Sequence, residues 1–86
     1  MRECEKILNQ LRATKNGWGE DDLRKLYVGF GFEEYGNKHA VFVHPDYPQL
    51  RATVGRHRSL ATGYAAYAVK LIEQLKSFQE EDGNEN

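Results

Sequence analysis

Eighty-six residues exclude more than one domain and commit most of the chain to a single core. With 40% hydrophobic and 12% aromatic residues the composition is that of an ordinary globular domain, and no apolar run is long enough to cross a bilayer. The net charge of −1 argues at first against a nucleic-acid binder.

The first residues, Met1-Arg2-Glu3-Cys4-Glu5-Lys6, lack the apolar stretch of a secretory signal, so a cytoplasmic protein with no membrane partner is expected. Cys4 is the only cysteine, which rules out an internal disulfide and makes a poor zinc site. Cys4, Ile7, Leu8 and Leu11 then recur at the spacing of one helical face. Asn16-Gly17 breaks that helix. A second helix opens at Gly19-Glu20-Asp21-Asp22, where acidic side chains meet the positive end of the helix dipole. Leu23, Leu26, Tyr27 and Phe30 continue it, Trp18 packs back onto its start, and Gly29 and Gly31 bracket its end.

Three strands follow. Phe32 to Tyr35 is short, and Gly36-Asn37 is a hairpin turn pair. His39 to His44 is rich in β-branched and aromatic residues, and Pro45-Asp46-Tyr47-Pro48 turns the chain into a third strand from Leu50 to Val54. Ser59 or Thr62 is the candidate N-cap of the last helix, whose stripe runs through Tyr64, Tyr67, Ala68, Leu71, Ile72, Leu75 and Phe78. The two tyrosines read as core on this spacing. The helix is expected to fade after Phe78 into a disordered acidic tail over 81–86. The result is one domain over 1–80, its first 18 residues an extra helix and connector. Its class is α+β: a two-layer sandwich in which helices cover a three-stranded antiparallel meander.

Charge is segregated along this order. Residues 36–70 carry Lys38, Arg51, Arg56, Arg58 and Lys70 against Asp46 alone, a balance of +4. Residues 71–86 carry Lys76 against Glu73, Glu80, Glu81, Asp82 and Glu85, a balance of −4. All three histidines fall in the basic middle. His39, beside Lys38 at the head of a strand, suits proton transfer at neutral pH next to a phosphate-binding cation; it also suits an ordinary strand position near a basic turn. His44 lies five residues on, facing the other side about 16 Å away, so the two do not share a metal. Arg56-His57-Arg58 precedes the last helix and can hold phosphates or simply be a solvated loop; Arg51 joins that cluster if it faces outward.

Four blocks from Leu23 to Leu75 resemble the HicA-type (YcfA-like) mRNA interferase toxin family, in the family's order. They are Leu26-Tyr27-Val28-Gly29-Phe30-Gly31-Phe32; Gly36 through Pro45 with His39 and His44-Pro45; Ala52-Thr53-Val54-Gly55-Arg56-His57-Arg58; and Thr62-Gly63-Tyr64 with the helix to Leu75. Asn37 and Lys38 stand where the family has Gly-Ser, and Gly55 where a proline is frequent. The resemblance implies a double-stranded-RNA-binding-domain-like fold and cleavage of mRNA by a metal-independent endoribonuclease without cofactor. His39 would act as base on the 2′-OH or as acid on the leaving 5′-oxygen. Lys38, Arg51, Arg56, His57 and Arg58 would hold phosphates. The implied partners are mRNA and a HicB-like antitoxin protein that covers the histidine. The alternative on the same fold is a non-catalytic RNA- or protein-binding module. The extra N-terminal helix leaves three roles open: covering the sheet's flank, homodimerisation, or added core.

Overall fold

The computed structural model describes residues 2–36 and 38–83. Three helices and three strands follow one another as α1 (Glu3–Ala13), α2 (Glu20–Gly29), β1 (Glu33–Tyr35), β2 (Ala40–Val43), β3 (Arg51–Val54) and α3 (Thr62–Gly83). The strands form one antiparallel sheet in the order β1-β2-β3. This is the expected α+β architecture, with boundaries within about a residue or two of the sequence pattern except at the end of α3.

The helices lie where their apolar faces direct them. Cys4, Ile7, Leu8 and Leu11 are all buried on α1. On α2 the buried residues are Leu23, Leu26 and Tyr27, and the Asp22 carboxylate accepts the Gly19 N–H at 3.0 Å, satisfying one donor at the helix start. In β2 and β3 burial alternates, with Ala40, Phe42, Ala52 and Val54 turned to the helices. Register fixes the opposite face. Glu33, Val43 and Arg51 are aligned across the strands, as are Tyr35, Val41 and Thr53. None of these six is fully buried, so one face of the sheet is left open.

Two expectations for α3 are corrected. Thr62 is the first helical residue, not a cap before it, and the helix continues past Phe78 to Gly83. Its extension has a tertiary cause. Phe32, His44, Tyr47 and Phe78 form a ladder of rings with centroids 5.2, 5.4 and 5.4 Å apart in turn. The Tyr47 hydroxyl donates to Asp82, one turn beyond Phe78. Residues 84–86 of the expected tail, and Asn37 of the expected turn, lie outside the described residues.

The extra helix α1 is core. Leu8 and Leu11 join the same cluster as Phe42 and Ile72, and Glu5 and Arg12 pair with Lys76 and Glu73 of α3 at 2.9 and 3.4 Å. Among the described residues no helix is long and apolar enough to cross a membrane.

Candidate nucleic-acid interface

His39 is the last residue before β2 and is exposed. The loop ahead of it is held by Gly36, whose φ of +97° is one that side-chain-bearing residues rarely adopt. A Cβ at Gly36 would collide with the His39 carbonyl. The β2–β3 pairing ends at Ala40 with Val54, so His39 and Gly55 are the residues that flank its last pair.

Gly55 is where the second exposed histidine comes to rest. A methyl group there would stand 2.9 Å from Cδ2 and 3.4 Å from Nε2 of His57, and 3.7 Å from the Tyr64 hydroxyl oxygen. The imidazole therefore lies against bare backbone, in space that a side chain at 55 would fill. The loop that returns it is pinned to α2. The Glu20 N–H donates to the His57 carbonyl at 2.9 Å, and the Leu60 N–H to the Trp18 carbonyl at 2.8 Å. His44, by contrast, is buried on the helix side, where its Nδ1 accepts the Asp46 N–H at 3.1 Å. It closes the strand as a packed residue.

The basic residues divide into two groups. Lys38 and Arg58 are exposed, and Arg51 is exposed on the open face of the sheet. Arg56 is exposed too, in one recess with Arg58 and the start of α2, but it bonds carboxylates. Its guanidinium reaches Glu20 at 2.5 Å and Glu34 at 3.7 Å. Arg24 bonds the same two carboxylates at 2.5 and 2.9 Å. Arg56 thus ties the end of β3 to α2 and β1, and its charge is neutralised there instead of being offered to phosphate. Sequence spacing gave no sign of this, because Glu20 and Glu34 are 36 and 22 positions away.

This network makes a pH prediction. The Arg24 hydrogen bond, aided by the charge of Arg56, holds the Glu34 carboxyl below its ordinary value against the opposing effect of burial. A lowered folded-state pKa contributes stability above the unfolded pKa and loses it as pH falls through the folded one. Unfolding free energy measured in urea should therefore fall below about pH 4.3, the ordinary glutamate value. It should fall less steeply in Glu34→Gln. Equal slopes for the two proteins would remove Glu34 from acid sensitivity.

Compared with known proteins, the chain matches no family model, no curated protein and no solved structure. The likeness to HicA-type toxins rests on the four sequence blocks.

The sequence pattern placed Tyr64 and Tyr67 in the core, and here the structure corrects it. They are 37% and 48% exposed. The reason is the pair of alanines beside them. Ala65 and Ala68 are buried on this half of α3, so the helix runs close to the sheet and the rings are displaced to the rim. Tyr67 donates from its hydroxyl to the Arg51 carbonyl at 2.8 Å, satisfying an acceptor on the edge strand. Together with Thr53, Ala61 and Gly63, the two rings line a groove of about 300 Å³. Its neighbour beyond Tyr64 is the His57 imidazole over Gly55.

Proposed function

We propose that this protein is a metal-independent endoribonuclease of the HicA toxin type, acting on mRNA and held in check by a HicB-like antitoxin that covers His39. The observation that carries the reading is the exposed His57 imidazole resting on Gly55, just past the end of β3, while exposed His39 precedes the neighbouring strand β2, whose last pair with β3 is Ala40 with Val54. RNA cleavage through the 2′-hydroxyl needs two proton transfers. One takes the proton from the 2′-oxygen as it attacks the adjacent phosphorus; the other gives a proton to the 5′-oxygen as its bond to phosphorus breaks. His39 and His57 would supply one group for each step, and the products are a 2′,3′-cyclic phosphate and a free 5′-hydroxyl. Lys38, Arg51 and Arg58 are the cations left to meet phosphates and the charge that develops on them.

The test uses a labelled single-stranded RNA in EDTA. Expected are fragments ending in cyclic phosphate, and none from the same strand with 2′-deoxy sugars. Absence of any cleavage by the wild-type protein would overturn the nuclease reading. Salt-sensitive RNA binding without cleavage would identify the non-catalytic module instead, which the Asn37-Lys38 departure ahead of His39 favours.

A further inference from the structure

The groove beside His57 has the character of a base-binding site. Its walls are two tyrosine rings, a threonine, an alanine and a glycine. Nothing lies within 4 Å of the position a Cβ would take at Gly63, so the groove is open on that side. Aromatic side chains exposed to this degree, lining an otherwise apolar recess, accept flat partners. Charge decides which kind of flat partner. From Tyr47 to Ile72 the chain carries no aspartate or glutamate. Over that stretch the Arg51 carbonyl accepts the Tyr67 hydroxyl at the groove's edge, and exposed Lys70 lies one turn beyond Tyr67; Arg58, also exposed, lines a separate recess with Glu20, Asp21 and Asp22. A recess that stacks flat rings between exposed cations is complementary to a polyanion with unpaired bases. A base-paired helix keeps its bases stacked inside and offers no ring to insert.

Resting on the RNA reading above, we propose that the groove between β3 and the start of α3 binds one unpaired base of single-stranded RNA. The base stacks on Tyr64, and Tyr67 forms the far wall. Because the Tyr64 hydroxyl and the His57 ring both border Gly55, the phosphate joined to the stacked nucleotide falls next to the His57 imidazole. The groove thus selects unpaired RNA and sets which phosphate is presented for cleavage.

The experiment is equilibrium binding of a fluorescent uridine dodecamer, 2′-deoxy at every position so that it stays intact, across a salt series. Tyr64→Ala should weaken binding about 5- to 150-fold, the range for loss of one stacked base. Tyr64→Phe should bind like wild type, and Tyr64→Leu, which keeps apolar bulk in the groove if the alanine variant folds poorly, should be weakened like Tyr64→Ala. The slope of log affinity against log salt should be unchanged in the Tyr64 variants, because stacking releases no counterion. Lys70→Gln should reduce that slope by about 0.7. Replacing the bases by abasic sites should weaken the wild type and leave Tyr64→Ala nearly unaffected. Undiminished binding by Tyr64→Ala and Tyr64→Leu would overturn the proposal. If the wild type binds but the all-ribose strand is not cut, the base site stands and the nuclease reading falls. If the wild type binds no strand at all, both fall.

Discussion

His39→Ala should slow cleavage of single-stranded RNA by about 10²- to 10⁴-fold, the contribution of one positioned proton-transfer group, while RNA affinity stays within a few-fold of wild type. The separation follows from position. His39 stands just ahead of β2, whereas the cations proposed to meet phosphates and the tyrosine groove lie on other residues. A substrate in which sulfur replaces the 5′-oxygen at the scissile phosphate tells which proton His39 moves. Sulfur leaves without help, so most of the defect should vanish if His39 is the acid and persist if it is the base on the 2′-oxygen. Full activity of His39→Ala on the ordinary substrate would remove it from the chemistry. Rate and affinity falling together would make it a binding residue.

Phe42→Ala should cost about 3–5 kcal/mol of folding free energy, the range for deleting a buried aromatic side chain. Phe42 is fully buried in the central strand of the sheet, and its ring stacks on Tyr27 with centroids 5.0 Å apart at 29°. It is aligned with Glu34 on one side and Ala52 on the other. Neither neighbour carries a ring that could swing into the cavity. Small domains hold only about 5–15 kcal/mol in all, so the urea midpoint should drop by a large fraction, and thermal unfolding should begin near room temperature if the starting stability is at the low end. The adjacent Val41→Ala, on the open face, should cost under about 1.5 kcal/mol. Equal losses at the two positions would mean that the open face is covered in solution.

The local features of this fold were legible in the sequence. The spacing of Cys4, Ile7, Leu8 and Leu11 names the buried face of α1, and the β-branched and aromatic run from His39 to His44 names the central strand. Three things were not legible, each because it depends on residues far apart in the chain. Tyr64 and Tyr67 continue an apolar stripe, and only the close approach of Ala65 and Ala68 to the sheet puts them outside. Arg56 reads as one of three donors in a row, and only the fold brings Glu20 and Glu34 to it. The acidic end of α3 reads as a tail, and only Tyr47 gives it a ring for Phe78 to stack on and a hydroxyl that donates to Asp82. For the site, the residue types were visible in the basic middle of the chain, but the resting of His57 on Gly55, beside the Tyr64 hydroxyl, needed the fold.

The length of α3 bears on how a charged partner would arrive. It separates the tyrosine groove near one end from Glu80, Glu81 and Asp82 near the other by about 23 Å at the usual helical rise. A net charge of −1 thus accompanies an uneven charge distribution along α3, with its acidic end held about two to three screening lengths from Lys70 and the groove. A polyanion diffusing toward the molecule is turned away by the acidic end and drawn by the basic end, so that encounters are oriented before contact. Association should be faster than the overall charge suggests, and most of that advantage should disappear as ionic strength rises.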